Sequence, residues 1–357
     1  MAKTMELPDA PSVAILILNW NGWEDTIECL ESIHRINYPN FYTIVIDNGS
    51  SNESVEKIKE YAKGKITVKS KYLKYTTKNK PIEILEHTRA TSENAAKKMK
   101  GAAKNSNDLE DTSFFNSDQN RKMVLIKNEK NYGFAEGNNI GIRYAINTLN
   151  SDYVLLLNND TVVELDFLTK MVKAAENDKK IGIVGAKIPY YDKPKKNWFC
   201  RGVINWFSIN IAYHDCECKS EKIETDYITG CVALIRNEVI KKVGYLDKSL
   251  FLYFEDADFS LRVKKNGFGL IVIPEAVVYH KVSATSYTFI LSTAQYYFSR
   301  NRIWFVKKYC PKRYLPISKL FIISRLFLAV GFFTLKRKGD TVSALLKAYR
   351  DGFKGSY

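Results

Sequence analysis

Short apolar runs rich in β-branched residues alternate with amphipathic segments through the first half of the chain, and this rhythm limits the folds that the chain can adopt. Val13–Leu18 and Phe41–Ile46 are predicted strands, and Trp23–Arg35 between them is a predicted helix. Another helix is predicted behind Ser50 and Glu53, which have the spacing of a capping box. Strands that alternate with helices form parallel sheets with right-handed crossovers. The sequence therefore predicts an α/β core.

This alternation is interrupted once and then resumes. Residues 64–122 are rich in Lys, Asn, Ser and Thr and poor in apolar residues, so we predict a partly disordered insertion that loops out of the fold. The later predicted strands are Met123–Lys127, Asp152–Leu157, Ile181–Ala186, Tyr227–Arg236 and Gly269–His280. We divide the chain into an α/β domain, residues 1–295, and a helical C-terminal region, residues 296–357.

Positive charge is concentrated in the C-terminal region. The chain carries a net charge of +15, and from Tyr296 onward fourteen Lys and Arg face two Asp, a net of +12. Aromatic residues are mixed with these charges, a composition that suits an anionic lipid surface or a nucleic acid. The longest apolar tract is interrupted by Lys319 and Arg325, and only Leu326–Leu335 is free of charge. Since a spanning helix needs about 20 apolar residues, we expect this tract to lie on a membrane rather than cross it.

Cysteine usage predicts reduced thiols. Six cysteines occur in a chain with no visible export signal, which favours a cytoplasmic protein. Cys200, His214, Cys216 and Cys218 form a cluster that could hold zinc. The Cys-Glu-Cys spacing is tighter than that of structural zinc sites, so an ordinary loop is the favoured interpretation.

A fully apolar run, Tyr153–Leu157, ends in the polar cluster Asn158-Asn159-Asp160. In open α/β sheets, ligands bind outside the carboxyl ends of the strands. An aspartate at that position can hold a divalent cation, which in turn can bridge a diphosphate. The alternative is a simple turn, because Asn and Asp are common turn residues.

Three acids, Glu255, Asp256 and Asp258, open a predicted helix behind the aromatic run Phe251–Phe254. Acids in a first helical turn are stabilised by the helix macrodipole, which explains one or two of them. A carboxylate sheltered by aromatic rings is also a good candidate for a general base.

These motifs together resemble the family 2 glycosyltransferases of the GT-A fold, in particular the rhamnosyltransferase-like branch. The resemblance covers residues 12 to about 305 outside the insertion. It depends on five landmarks in the family's order: Ile17–Gly22, Val45–Ser50, Asn131–Asn139, Leu156–Asp160 and Phe254–Asp258. The fold class that it implies is a Rossmann-like mixed sheet flanked by helices, with the C-terminal helical region as a membrane-associating extension.

The resemblance implies a nucleotide-binding role for residues at several strand ends. Asn19 and Asn21 would line the nucleotide pocket, and Asp47 would contact the base or ribose. The loop and helix start beneath the nucleotide would be formed by Gly133, Phe134, Ala135, Asn138 and Asn139. Arg300 on a later helix could reach the diphosphate, whereas a solvated or lipid-facing charge is the alternative.

The resemblance also implies a metal site and a base. Asn158 and Asp160 occupy the ends of the family's Asp-x-Asp motif, and because the first is Asn here, Asp160 should carry most of the binding of Mn²⁺ or Mg²⁺. His280 would complete the metal site, or else is a strand-end histidine bonded to backbone. Asp256 matches the acceptor-side base in the pair with Glu255, and Asp258 is the second candidate.

The implied function is inverting sugar transfer from a nucleotide-sugar donor to a saccharide or lipid-linked acceptor, in the synthesis of a surface glycan or a glycoprotein glycan at the inner face of the cell membrane. The branch implies dTDP-rhamnose as the donor, with UDP- and GDP-sugars as alternatives. A sugar-phosphate nucleotidyltransferase would need a Gly-rich loop and an Arg after the first strand, where the chain has Leu18–Trp23. A nucleic-acid-binding protein is the remaining alternative, and we expect no nucleic acid partner.

Overall fold

The computed structural model describes residues 10–101, 114, 121–207, 210–214, 220–282 and 291–355, which form a mixed β-sheet between helices. The strands are β1 (Val13–Asn19), β2 (Phe41–Asp47), β3 (Glu83–Thr88), β4 (Lys122–Lys127), β5 (Tyr153–Asn158), β6 (Thr161–Val163), β7 (Ile181–Pro189), β8 (Asn197–Phe199), β9 (Arg201–Asn205), β10 (Asn210–His214), β11 (Ile223–Glu224), β12 (Val232–Arg236) and β13 (Gly269–His280). The helices are α1 (Trp23–Ile33), α2 (Ser54–Ala62), α3 (Arg89–Gly101), α4 (Gly133–Asn147), α5 (Phe167–Asn177), α6 (Asn237–Val243), α7 (Glu255–Lys265), α8 (Leu291–Tyr309), α9 (Leu315–Leu335) and α10 (Gly339–Lys354).

The central sheet has the order β11-β13-β7-β12-β5-β1-β2-β4-β3. Strands β5, β1, β2, β4 and β3 run parallel, and β12 enters antiparallel between β5 and β7. The predicted α/β core is confirmed, and β12 makes its sheet mixed. The β1–α1–β2 and β4–α4–β5 connections run in opposite directions along the sheet. Because crossovers between parallel strands are right-handed, α1 and α4 lie on opposite faces.

The register brings polar strand ends together. Asn19 at the end of β1 lies beside Asp47 of β2, and Leu18 lies beside Asn158 of β5. Helix α4 approaches this edge closely, since a Cβ on Gly137 would lie 2.7 Å from Leu18 Cδ1. The carboxyl edge of the parallel strands is therefore both polar and tightly covered.

The segment predicted to loop out of the fold is, in its described part, a piece of the sheet. Strand β3 pairs in parallel with β4 at the sheet edge, and α3 packs against α4. Arg143 of α4 forms an ion pair with Glu93 of α3 at 3.3 Å. The prediction is wrong for residues 83–101 because an edge strand and an exposed helix need few apolar side chains, which is the composition that we interpreted as disorder.

Local details also differ from the prediction. Helix α2 begins at Ser54, and its first N–H donates to Asn52 Oδ1 at 3.1 Å, so the predicted capping box does not form. Ser50 instead donates its hydroxyl to Asp47 Oδ1 at 2.6 Å. Residues 227–231, predicted as strand, precede β12 as a loop.

The C-terminal region is a group of three helices, in which α10 packs against α8 and α9. Ser318 donates to the carbonyl of Trp206 at 2.8 Å, and the Tyr349 hydroxyl donates to that of Ile322 at 2.9 Å. These bonds tie one side of α9 to the body of the protein. The helix is mostly exposed, and its 21 residues extend far beyond the charge-free tract Leu326–Leu335. By length and composition alone, α9 could cross a membrane.

The cysteines are not all free thiols. Cys200 is buried and disulfide-bonded, whereas Cys29, Cys231 and Cys310 are free. The prediction of reduced thiols is therefore wrong for Cys200. The predicted alternative of a zinc cluster depends on Cys216 and Cys218, which lie outside the described residues.

A candidate active site at the carboxyl edge of the sheet

A cavity of about 300 Å³ opens where β5, β12, β13 and the start of α7 meet. Asp160 and Asp256, which are far apart in sequence, both line it, as do Asn158, Glu255 and His280. The other lining residues are Leu18, Trp20, Asn48, Asn131, Gly133, Phe134, Asn159, Trp198, Thr229, Gly230, Cys231, Phe251, Leu252, Tyr253 and Val282. Five of the predicted catalytic and metal residues thus line the same cavity.

Asp160 and His280 form a pair on one wall. His280 Nε2 lies 3.1 Å from Asp160 Oδ1, and both side chains are buried. Antiparallel pairing of Thr161 in β6 with His280 at the end of β13 fixes this proximity. Burial alone would lower the pKa of His280, but the neighbouring Cys231 and Asp160 raise it well above its usual value.

Glu255 and Asp256 form a second pair, in which both residues are acids. The carboxylate of Asp256 accepts hydrogen bonds from the backbone N–H of Gly230 at 3.1 Å and of Ala257 at 2.7 Å. Burial raises the pKa of Asp256, while these two bonds oppose the rise. Burial, and after it the charge of Asp256, raises the pKa of Glu255 well above its usual value. Asp256 is therefore a positioned carboxylate with strengthened basicity.

The loop before this pair has a strained backbone. Phe251, Tyr253 and Phe254 have φ angles of 63°, 69° and 71°, in the left-handed region that side chains disfavour. Each such residue costs on the order of 1–3 kcal/mol, and strain of this kind concentrates at functional sites. Gly133 faces the loop with a φ of 80°, and a Cβ there would lie 2.5 Å from the Phe251 carbonyl oxygen. The loop is thus held against the start of α4.

Helix α8 holds the strained loop from behind. The Asn301 amide donates to the carbonyls of Leu250, Leu252 and Tyr253 at 2.7–2.9 Å. Arg300 donates to the Ser249 carbonyl at 2.7 Å, and its guanidinium lies 4.1 Å from the Trp304 ring centre. Arg300 is buried in these contacts and does not line the cavity. This position does not fit the predicted contact with a diphosphate.

Asp258 points away from the cavity. Its carboxylate accepts from Arg262 at 2.8 Å, Lys308 at 2.7 Å and the Tyr309 hydroxyl at 2.6 Å. The structure contradicts the prediction of Asp258 as a second catalytic candidate, because two residues along a helix turn the side chain to a different face. Its position makes it an anchor between α7 and α8.

The predicted nucleotide residues of β1 and β2 form a polar cluster behind the cavity wall. Asn19 donates to Asp47 Oδ1 at 2.7 Å, and Asn21 accepts from the Ser51 N–H at 2.8 Å. Asn19 and Asp47 are fully buried and satisfy each other, so none of the three lines the cavity. Their chain neighbours Trp20 and Asn48 do.

The predicted residues of α4 divide in the same way. Gly133 and Phe134 line the cavity. Asn138 donates to the Phe134 carbonyl within its own helix, at 2.9 Å. Asn139 exchanges two hydrogen bonds with the backbone of Leu246. Asn138 and Asn139, which were predicted beneath the nucleotide, therefore bind backbone carbonyl and N–H groups and do not line the cavity.

The charge of the cavity determines what it can bind. Asp160, Glu255 and Asp256 line it, and no Lys or Arg is among the described lining residues. Lys281, which follows the lining residue His280, pairs instead with Asp25 at 2.6 Å and with Glu28. No group of three or more His, Cys, Asp or Glu in the described part of the chain could hold a metal ion by itself. The Asp160 carboxylate fits a cation that takes other ligands from a bound phosphate and water, and His280 could join it only after losing its proton.

Some lining residues were missed at the sequence level. Trp198 packs edge-on against His280, with ring centres 4.4 Å apart, although large aromatics far from a motif are more often core. Trp20 lies inside the Ile17–Gly22 landmark and could have been chosen from its place beyond β1. Asn301 had no sequence signal, since its role depends on which loop lies beneath α8.

Comparison with known proteins defines the class of this fold and site. The family model described as "Glycosyltransferase like family 2" matches residues 112–303, and the one described as "Glycosyl transferase family 2" matches residues 14–89. The first covers more than half of the chain. The chain therefore belongs to the family 2 glycosyltransferases, and the predictions of its family and of a glycosyltransferase enzyme are confirmed.

Several characterised proteins are similar at low identity. The dTDP-rhamnosyl transferase RfbF of Shigella flexneri is 22% identical over 66% of this chain and 79% of its own length. The rhamnosyltransferase WbbL of Escherichia coli is 25% identical over 40% of this chain and 58% of its own length. The low-salt glycan biosynthesis hexosyltransferase Agl10 of Haloferax volcanii is 24% identical, and the match spans 39% of this chain and 46% of Agl10.

Solved structures share the fold. The mannosyltransferase PcManGT of Pyrobaculum calidifontis, in complex with GDP-Man and Mn²⁺, superposes with a TM-score of 0.52, at 13% identity over 96% of this chain and 87% of its own. GalNAc-T7 with UDP, GalNAc and Mn²⁺ gives 0.55, at 16% identity over 84% of this chain and 48% of its own. The predicted GT-A fold, a mixed sheet flanked by helices, is confirmed.

Proposed function

We propose that this glycosyltransferase moves a sugar from a nucleoside-diphosphate donor to a hydroxyl acceptor, with inversion, in the 300 Å³ cavity. The observation that carries the proposal is the convergence of Asp160 and Asp256 on that cavity. Asp160 lies beside the imidazole of His280, whereas Asp256 lies beside Glu255 and accepts from two backbone N–H groups. This asymmetry supports two different roles for the same chemical group.

A divalent cation, Mn²⁺ or Mg²⁺, is part of the proposal because the cavity is acidic. A diphosphate would meet the carboxylates of Asp160 and Asp256, with a protonated Glu255 beside them, and no lysine or arginine among the described lining residues. Asp160 and His280 would hold the cation, with Asn158 beside them. When bound, it would supply positive charge for the diphosphate and its leaving oxygens. GalNAc-T7 and PcManGT are both described with Mn²⁺, which supports the choice of metal.

Asp256 is the proposed general base. The N–H groups of Gly230 and Ala257 fix its carboxylate, and its raised pKa favours proton uptake from an acceptor hydroxyl. The O–H bond breaks as the hydroxyl oxygen bonds to the anomeric carbon, and the bond to the diphosphate breaks on the opposite face. Glu255, whose raised pKa favours the protonated state, would keep a second negative charge away from Asp256.

The relatives support a proposed donor and a proposed acceptor. Similarity to RfbF and WbbL supports dTDP-rhamnose as the donor, and UDP- or GDP-sugars are the alternatives. A saccharide or a lipid-linked saccharide is the proposed acceptor. Purified full-length chain should release nucleoside diphosphate from one member of a nucleotide-sugar panel, and only when Mn²⁺ or Mg²⁺ is present. Turnover with every metal removed would contradict the metal proposal, and no turnover or donor binding across the panel would contradict the donor class.

The C-terminal helices are the proposed membrane contact, on the cytoplasmic face. Outside its bonds to Trp206 and Tyr349, α9 exposes large apolar side chains. They are Leu320, Ile323, Phe327, Leu328, Phe332 and Leu335. Arg325 lies at the middle of α9, so a membrane-crossing orientation would cost about 2.5–3.5 kcal/mol for that residue alone. This favours a helix lying in the interface, and flotation with anionic vesicles tests it.

A further inference from the structure

Arg302 is a buried charge without a counter-ion. Its side chain lies in α8 with 7% of the residue exposed, and its Nε has no hydrogen-bond partner among the described residues. The guanidinium packs over the Phe298 ring at 4.4 Å. Arg300, two residues earlier, donates instead to three acceptors, the Ser249 and Leu250 carbonyls and the Asn301 side chain. Because buried charges are normally paired, Arg302 needs an explanation.

The surroundings of Arg302 add positive charge rather than cancel it. Burial, and after it the charge of Arg325 on α9, lowers the pKa of Arg302 to about 10. Arg325 lies one turn beyond the buried Ile322, on the side of α9 that faces α8 and α10. Tyr349 of α10 closes the third side and donates its hydroxyl to Ile322. Two arginines therefore converge where three helices meet.

The described part of the chain does not supply the missing anion. The only acids from residue 296 onward are Asp340 and Asp351. Asp351 accepts from the Tyr296 hydroxyl at 2.9 Å and from Arg350 at 3.1 Å, and Asp340 is exposed at the start of α10. Asp258 of the catalytic domain is taken by Arg262 and Lys308. The described residues therefore leave the two arginines without an anion.

Apolar surface next to these arginines indicates which anion. Leu328 and Phe332 lie three and seven residues after Arg325, on the same face of α9, and are 74% and 54% exposed. A ligand here would have a charged group between α8 and α9 and a hydrocarbon part along α9. We propose that Arg302 and Arg325 bind the phosphate group of an anionic phospholipid whose acyl chains lie along α9. A guanidinium fork matches phosphate oxygens in geometry and in charge.

This inference rests on the proposed membrane contact and is independent of sugar transfer. Phospholipid binding at Arg302 and Arg325 differs from general attraction to a charged surface in its salt dependence. Contacts of exposed charges are screened by salt, whereas those of buried groups are screened much less. Arg313 is exposed at the turn before α9 and is the matched control for a diffuse charge effect.

The test is binding of the full chain to phosphatidylcholine vesicles with and without phosphatidylglycerol, at high salt. Arg302→Met should weaken the preference for phosphatidylglycerol about tenfold, the loss of one charge-assisted bond, and Arg313→Met should leave it unchanged. Arg302→Met should also be at least as stable as the wild type in lipid-free detergent, because a buried unpaired charge is removed. If Arg302→Met does not fold, Arg325→Met, half-buried on α9, takes its place with the same expected loss.

Three results would overturn the proposal. Equal losses in Arg302→Met and Arg313→Met would mean diffuse electrostatics only. Wild-type preference in both Arg302→Met and Arg325→Met would remove the site. Stabilisation by inorganic phosphate in detergent equal to that by the phospholipid would make it a site for free phosphate. Failure of the wild type to bind any anionic vesicle would instead contradict the membrane contact itself.

Discussion

The carboxyl edge of the sheet and the C-terminal helices both bury charge, but in opposite ways. At the sheet edge, Asp160 lies against His280, and Asp256 accepts two backbone N–H groups. In the helices, Arg302 has Arg325 as a neighbour and no carboxylate partner within the described residues. Asp160 and Asp256 are held at the cavity by partners from their own chain, whereas Arg302 is held by packing over the Phe298 ring.

A different contrast exists within one turn of α7. Asp256 faces the cavity and accepts only from uncharged donors, the backbone N–H groups of Gly230 and Ala257 and the Thr229 side chain, whereas Asp258 is neutralised by Arg262, Lys308 and Tyr309. The first can accept a proton from a substrate, and the second cannot without breaking the contact between α7 and α8. The following changes test this division of labour.

Asp256→Asn should cause the largest loss of activity. We expect kcat to fall about a thousandfold, within the range for removal of a general base, with donor affinity nearly intact. Steady-state kinetics and calorimetric titration of the donor measure the two. Asp226→Asn, which changes an exposed carboxylate paired with Lys264, is the control and should retain full activity. Full activity in Asp256→Asn would break the comparison.

Asp258→Asn should instead act on stability. It leaves Arg262 and Lys308 without their buried partner, so we expect the free energy of unfolding to fall by about 3 kcal/mol. Denaturant unfolding measures it, and Asp256→Asn should be as stable as the wild type or more so. A stable Asp258→Asn variant without activity would return Asp258 to the catalytic candidates.

Asp160→Ala should weaken metal-dependent donor binding by about tenfold or more, a loss of at least ~1.4 kcal/mol. The reason is that Asp160 would hold the cation that offsets the acidic cavity. Donor affinity with and without Mn²⁺ measures it, and binding without metal should change little. Unaltered affinity in the presence of Mn²⁺ would remove Asp160 from the metal site.

A smaller effect concerns pH. Because burial raises the pKa of Asp256, the rate should rise with pH through a midpoint above that of an ordinary aspartate. The stability contribution has the opposite sign, since an acid with a raised folded pKa stabilises the protein only below that value and loses this contribution as pH rises. The stability gained by Asp256→Asn should therefore grow with pH. A gain that is independent of pH would show that the carboxylate is not perturbed.

Much of the site was predictable because its chemistry follows strand ends. β5 is apolar until Asn158, and β13 is apolar apart from Glu275 until His280, so the sequence places both polar residues at the ends of strands. The division of roles was not predictable. Asn139 and Arg300 carry the residue types that bind nucleotides, yet the backbone of Leu246 and Ser249 occupies them.

The sequence by itself determined the alternation of strands and helices, the family, and the segments that bring acids to the carboxyl edge. These depend on local periodicity and on ordered motifs, which a single chain displays. Tertiary structure decided which acid faces the cavity, that β3 extends the sheet, and that Arg302 has no counter-ion among the described residues. Those facts depend on partners distant in sequence, because the burial and pairing of a side chain are properties of the packed fold.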